Sequence, residues 1–319
     1  MKVVSLFAGV GGICQGFKNA GCDVLWANEI DKNACITYKL NHAKTTLIQD
    51  DINNIPINKI PDCDILTAGF PCQSFSIAGH RKGFSDGRGN LFFSILKILL
   101  EKKNKPKVIF LENVKNLVSH DNGNTFNIIK SNLSKLGYLL HFKVLNTYEY
   151  GNLPQNRERI FIVGFLDRKS FDKFKFPDKT ELTLSISSML ENTVDLKYYY
   201  NQNSCYYNDL KTTVTKNNTL YQIRRVYIRE NKSNLCPTLT ANMGTGGHNV
   251  PLIKDNIGIR KLTPRECFNF QGFDKTFALP KIANSHLYKQ AGNSVSVPVV
   301  EKIAINIMKS LDFDGIKNS

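Results

Sequence analysis

Short apolar runs alternate with amphipathic stretches through the first half of the chain, and a glycine-rich turn follows the first run. Val3–Phe7, Asp23–Ala27, Asp64–Ala68, Lys107–Glu112 and Ile160–Phe165 are brief and several are β-branched, the texture of strands buried on both faces. Between them, Gly16–Ala20, Lys32–Asn41, Leu91–Lys102 and Thr125–Leu136 carry helical periodicity. This rhythm predicts an α/β fold, a Rossmann-like and mostly parallel sheet with helices on both faces. In such sheets ligands bind beyond the carboxyl ends of the strands, so the residues just after each run are the informative ones.

The texture changes near residue 180. From there to about residue 260 the chain is rich in Asn, Tyr, Thr, Lys and Arg, with Tyr198-Tyr199-Tyr200 and the Tyr221–Tyr227 stretch interleaving aromatics and bases. Apolar patterning returns at Thr263–Phe270 and Val295–Leu311. These shifts predict a large domain made of 1–183 plus 290–319, with a smaller irregular or β domain, 184–289, inserted in it. A formal net charge of +15, from 42 Lys and Arg against 27 Asp and Glu, favours a polyanionic partner. No run approaches the roughly 20 apolar residues of a membrane span. The first residues lack a signal-cleavage pattern, so a cytoplasmic protein is expected.

Phe7-Ala8-Gly9-Val10-Gly11-Gly12 sits where a first strand turns into a helix. Glycines there permit a tight turn and a close backbone approach to a ligand. An acid about twenty positions on, after the second strand, would bond ribose hydroxyls. Glu29, followed by Ile30, stands there. Asp51, followed by Ile52, could meet an adenine amino group. The third position of a strict G-x-G-x-x-G is Cys14, which weakens the case for a pyrophosphate on the helix. The pattern points to a nucleoside cofactor and leaves S-adenosylmethionine and NAD both open.

None of the eight cysteines forms a C-x-x-C pair or zinc-like spacing, so no metal site is expected and seven read as buried, reduced thiols. Cys72 differs. It follows Gly69-Phe70-Pro71 at the carboxyl end of a strand, a poor place for a core thiol and a good one for a nucleophile. Beyond it, glycines alternate with Arg81, Lys82 and Arg88, a basic loop suited to a phosphate backbone. Glu112 ends another strand at the same edge, where a carboxyl group could act as an acid near neutrality or, more plainly, cap a helix. Arg157 and Arg159 alternate and share one face if extended, suiting a carbonyl oxygen or a phosphate.

Phe-x-Gly-x-Gly-Gly, Gly-Phe-Pro-Cys-Gln, Glu-Asn-Val, Gln-Asn-Arg-Glu-Arg and Gln-Ala-Gly-Asn-Ser-Val occur in that order between Val3 and about Val300. Together they resemble the bacterial cytosine-C5 DNA methyltransferases of restriction–modification systems. The resemblance implies S-adenosylmethionine as cofactor, S-adenosylhomocysteine as product and no metal. It implies a cofactor pocket from Phe7, Ala8, Gly9, Val10, Gly11, Gly12, Glu29, Ile30, Asp51, Ile52, Pro71, Leu91, Asn293 and Val295. It makes Cys72 the nucleophile, with Gln73 beside it, Glu112 near N3 and N4 of the cytosine, Arg159 on O2 and Arg157 supporting the Cys72 loop. Ser76, Arg81, Lys82 and Arg88 would meet DNA from one groove. Gln222, Arg224, Arg225, Tyr227 and Thr238 would meet it from the other, with Gln222 filling the vacated base stack and the two arginines suited to guanine. Double-stranded DNA is the implied partner of a monomer, with a restriction endonuclease as a functional companion.

Three other readings compete. An NAD-dependent oxidoreductase leaves Cys72, the Gln155–Arg159 block and the charge unexplained. A non-catalytic DNA-binding relative would be expected to lack Cys72, Glu112 or Arg159. An RNA cytosine methyltransferase remains open, although the long insert favours duplex DNA.

Overall fold

In the computed structural model, which describes residues 1–70, 91–224, 227–244 and 250–312, the predicted alternation becomes a seven-stranded sheet. The elements run β1 (Lys2–Leu6), α1 (Gly12–Asn19), β2 (Asp23–Glu29), α2 (Lys32–Asn41), β3 (Thr46–Gln49), β4 (Ile65–Gly69), α3 (Leu91–Glu101), β5 (Val108–Val114), α4 (Asn124–Lys135) and β6 (Leu139–Asn146). A one-turn helix, α5 (Thr147–Tyr150), precedes β7 (Glu158–Phe165) and α6 (Arg168–Lys173). The sheet order is β3-β2-β1-β4-β5-β7-β6. β1 lies parallel to β2 and β4, and β5 is parallel to β4. β7 runs antiparallel to β5, the departure that "mostly parallel" allows.

Alternation along the central strands sends side chains to two cores. Val4, Leu6, Leu66, Ala68, Ile109 and Leu111 pack with Phe92, Ile95, Leu96 and Leu99 of α3 and Ile129 and Leu133 of α4. On the other face Phe17 of α1 meets Phe110 edge-on, ring centroids 5.2 Å apart. Truncating such a buried ring to alanine costs about 3–5 kcal/mol. α2 spans the residues its periodicity predicts, begun by Asp31, whose carboxylate accepts from the Asn33 and Ala34 amides. β3 and β6 escaped the sequence reading. Both are edge strands without a fully buried face, so their apolar signal is weak.

The described parts of 1–145, 158–178 and 299–312 form this first compact unit, and 146–157 with 179–298 form a second. The second holds α5, α7 (Tyr207–Thr213), β8 (Tyr221–Ile223), β9 (Ile228–Glu230), β10 (Leu252–Lys254), β11 (Ile259–Lys261), α8 (Pro264–Phe270) and α9 (Asn284–Asn293). The closing helix α10 (Val297–Ser310) starts here and continues into the first. The four short strands form an antiparallel sheet, order β11-β10-β8-β9, over a small core of Leu210, Val214, Tyr221, Ile223, Leu252 and Ile259. α8 starts with a capping box between Thr263 and Glu266 and has Pro264 in its first turn. The Glu266 carboxylate also pairs with buried Arg260 at 2.8 Å.

The expected 184–289 segment lies within the second unit, which also takes in 146–157, 179–183 and 290–298. Hydrogen bonds explain the first addition. Cys236 N donates to Pro154 O at 2.6 Å, Asn156 N to Cys236 O at 2.8 Å, and Gln155 Nε2 to Phe270 O at 2.6 Å. Among the described residues, no helix is long and apolar enough to cross a membrane.

Candidate active site

The parallel pairing of β4 and β5 sets Gly69 beside Glu112 at the carboxyl edge of the sheet. A Cβ on Gly69 would lie 3.5 Å from Oε2 of Glu112, in ordinary van der Waals contact, and 3.3 Å from Cδ1 of Ile13. Glu112 is 8% exposed, and Nε of Arg159 approaches its Oε1 at 3.1 Å. Arg159 also donates from Nη1 to Glu158 O at 2.8 Å. Burial pulls its guanidinium below the ordinary arginine value, opposed by the attraction of Glu112. Glu158 itself is engaged elsewhere, by Lys115 at 2.8 Å.

Asn113 contributes what sequence reasoning missed. Its buried Nδ2 donates to Phe70 O at 2.7 Å, anchoring the last described residue before Pro71-Cys72. The Glu112-Asn113 step thus sends a carboxylate to the site and an amide to the neighbouring strand end.

Pro71, Cys72, Gln73, Ser76, Arg81, Lys82, Arg88 and Arg225 lie outside the described residues. The described thiols can still be compared. Burial pushes Cys22 and Cys35 up to about 11 and Cys63 up to about 12, and it raises Cys14, Cys236 and Cys267 as well. A thiol so shifted holds little thiolate at neutral pH and is a poor nucleophile. Cys205 is exposed, with no strand end to position it.

The second site is the turn after β1. Phe7, Gly9 and Gly11 all take positive φ, at 54, 57 and 91°, and Ala8 N donates to Asn28 O at 2.9 Å. The Glu29 carboxylate holds the turn: Oε2 accepts from Gly9 N at 2.7 Å, Oε1 from Ile30 N at 2.9 Å and Asp31 N at 2.8 Å. Three acceptances leave a carboxylate with further lone-pair capacity, enough for a hydroxyl.

The residues fit a nucleoside. A Cβ on Gly9 would meet nothing within 4 Å, so open space lies before the turn, and Ile30 beside it is 64% exposed, an apolar face for a base. Asp51 caps a short turn and accepts from Asn53 N and Nδ2, both at 2.9 Å, while Ile52 is buried. Leu91 opens α3 half-buried against the core. Behind the turn, a Cβ on Gly11 would collide with the His42 imidazole, which rests on Tyr38 with ring centroids 4.4 Å apart.

Arg157, in the second unit, has partners different from those of Arg159. It is 2% exposed. Its Nη1 donates to Leu239 O at 2.8 Å, and its Nη2 to Gly292 O at 3.1 Å and to Ser294 O. The division follows from the backbone, since 154–156 bond to Cys236 while the β5–β7 ladder begins at Val114 and Arg159. Thr238 donates to Asn156 O at 2.7 Å. Asn293 is exposed and Val295 buried, both within this unit. Gln222 lies buried in β8, and Tyr227 is 56% exposed.

A parallel-centred sheet with a glycine turn, an acid after β2 and a buried carboxylate at the β4–β5 edge has the fold of the S-adenosylmethionine-dependent methyltransferases. Solved structures share it. The S. pombe Dnmt2 methyltransferase matches with a TM-score of 0.75 at 22% identity, over 98% of this chain and 99% of that one. The Entamoeba histolytica methyltransferase EhMeth gives 0.71 at 20% identity, over 98% of each. The family model for C-5 cytosine-specific DNA methylases matches residues 1–309, and the chain belongs to that family. Its relatives include the type II methyltransferase M.Bsp6I of Bacillus sp. (strain RFL6), 57% identical over 98% of this chain and 99% of the relative. The type II methyltransferase M.HhaI of Haemophilus parahaemolyticus is 38% identical, over 98% of this chain and 96% of its own length.

Proposed function

We propose that this chain methylates C5 of cytosine within a short site in duplex DNA, with Cys72 as nucleophile and Glu112 and Arg159 acting on the target base. The observation that carries the reading is the buried Glu112–Arg159 pair, 3.1 Å apart, beside the strand end that leads through Phe70 to Cys72. C5 of an aromatic pyrimidine attacks electrophiles poorly. Thiolate addition from Cys72 forms a bond to C6 and moves an electron pair toward N3, leaving C5 enamine-like. A proton held on Glu112 is given to N3 as that charge develops, and the Arg159 guanidinium holds O2. When bound, S-adenosylmethionine supplies an electrophilic methyl group. Loss of the C5 proton to solvent then re-forms the C5–C6 double bond and expels Cys72 as thiolate, while N3 returns its proton to Glu112.

Phe7–Gly12, Glu29, Ile30, Asp51, Ile52 and Leu91 would hold the cofactor. Glu29 would bond the ribose and Asp51 the adenine amino group. The base must leave the stack to reach these groups, at a cost of a few kcal/mol. Basic residues after Cys72 would grip the phosphates, and the small domain would read the site. The chain would work as a monomer in the cytoplasm, paired in function with a restriction endonuclease of the same site.

The test is bisulfite sequencing of a plasmid from cells expressing the chain, with Cys72→Ser alongside. Methylated cytosines at one short site are expected from the native chain and none from the variant. Purified native protein should become covalently trapped on duplexes carrying 5-fluorocytosine, which has no C5 proton to lose. Trapping that survives Cys72→Ser would remove Cys72 from the role.

A further inference from the structure

The hairpin of β8 and β9 sets Gln222 opposite Arg229. Gln222 is 5% exposed, and its Oε1 accepts from Nη2 of Arg224 at 2.9 Å and from Nη2 of Arg229 at 3.3 Å. Both arginines are exposed. Among the described residues neither lies within ion-pair distance of a carboxylate, and the adjacent Glu230 is taken by Lys216 at 2.8 Å. Sequence reading singled out Arg224 and passed over Arg229, which reaches Gln222 only through the register of the hairpin.

Two guanidinium groups drawn onto one neutral oxygen repel each other. Each keeps most of its five N–H donors. The arrangement favours a ligand that offers several acceptors in one plane. A phosphate accepts a guanidinium, forked or not, from many directions, whereas the bidentate contact to guanine O6 and N7 needs the fork held in the plane of the base. The Gln222 carbonyl, itself fixed by burial in a strand, provides that orientation.

We propose that Arg224 and Arg229 form a paired site for a guanine edge in the major groove, with Gln222 as the positioning residue that aligns them. This rests on the reading of the chain as a duplex-DNA methyltransferase. Arg229 is thereby assigned a part in choosing the site, and Gln222 acts through the arginines in place of filling the vacated base stack, the role the family resemblance implies for it.

The experiment has two stages. Bisulfite sequencing of DNA from cells expressing the native chain defines the methylated site; absence of methylation there defeats the underlying reading without bearing on the arginine pair. Purified native protein and the variants R229A, R229K, R224A and Q222A are then measured on cognate and scrambled duplexes at several salt concentrations. Cognate duplexes with single guanines replaced by 7-deazaguanine are included. R229A is expected to lose roughly 10- to 100-fold in cognate affinity with little change on scrambled DNA. R229K should do no better, because a lysine lacks the planar fork. One 7-deazaguanine should weaken the native protein and leave R229A no weaker than before. Q222A should lose part of the same affinity, and its loss should not add to that of R229A.

The proposal is overturned if R229A weakens both duplexes alike with a salt slope shallower by about one unit, if R229K restores binding, or if R229A leaves cognate affinity unchanged. S-adenosylhomocysteine affinity measured without DNA should equal the native value in every variant. If it falls in R229A, the 7-deazaguanine comparison is made within that variant, and a further loss there overturns the proposal.

Discussion

Arg159 reaches Glu112 diagonally across two strands. The ladder pairs Arg159 with Val114 and Glu112 with Phe161, so the two charged residues stand two positions apart on one face, the spacing at which long side chains in antiparallel strands meet. Their 3.1 Å contact therefore depends on β7 running against the direction of β5.

That geometry separates a chemical role from a structural one. Glu112→Gln keeps the shape of the side chain and its contact with Arg159 but cannot deliver a proton. Single-turnover methylation should slow by roughly 10²- to 10⁴-fold, with DNA affinity within a few-fold of native. Arg159→Lys keeps a charge without the guanidinium plane and should also slow the chemical step more than binding. A Glu112→Gln protein that turns over normally would make the pair a brace.

The cofactor turn carries its own test. In Glu29→Gln one carboxylate oxygen becomes an amide NH₂, which must face a backbone N–H at Gly9 or at Ile30 and Asp31. Two donors then oppose each other, a cost of about 1–3 kcal/mol. S-adenosylhomocysteine binding, followed by calorimetry, should weaken at least about tenfold. Unaltered affinity would mean that Glu29 serves the turn and not the ligand.

His42 links this turn to pH. Burial, and then the nearby Lys18 charge, pull its imidazole down from 6.5 to about 4, against a backbone hydrogen bond with Val10. Below pH 6.5 the unfolded chain takes up a proton that the folded chain refuses until about pH 4. The unfolded state binds more protons in that window, so stability is full above it and declines as pH falls through it, by about 3 kcal/mol in all. His42→Phe keeps a ring against Tyr38 and removes the titration. Urea unfolding at pH 7 and pH 5 should show a smaller loss for the variant than for the native chain. Equal losses would place the acid sensitivity elsewhere.

Much of this was legible because local pattern and tertiary role agree along the central strands. β1, β2, β4 and β5 are apolar enough to identify alone, and each leads to a residue the site uses: Phe7, Glu29, Phe70 and Glu112. The edge strands β3 and β6 were not, since one-sided burial dilutes their signal. Alternation alone sets Arg157 and Arg159 on one face, because a sequence does not show where pairing begins. Asn113 and Arg229 were invisible for a related reason. Each acts on a residue far along the chain or across a hairpin, at Phe70 and Gln222, and no local period encodes such a partner.

Arg157 offers the last test, because its surroundings predict the opposite outcome from Arg159. Its guanidinium is buried and donates to the carbonyls of Leu239, Gly292 and Ser294. Helix α9 closes against the same element, since a Cβ on Gly292 would collide with the Thr240 backbone. Replacing the fork by a single ammonium, in Arg157→Lys, leaves at least one buried carbonyl without its donor, and Arg157→Met abandons all three. At about 1–3 kcal/mol for each unsatisfied group, Arg157→Met should lose at least about 3 kcal/mol of stability and Arg157→Lys less. Urea midpoints would measure this, with Arg159→Lys as the comparison, expected to keep most of its stability while losing activity. An Arg157→Lys protein as stable as the native chain but inactive would reverse the assignment and place Arg157 in the chemistry.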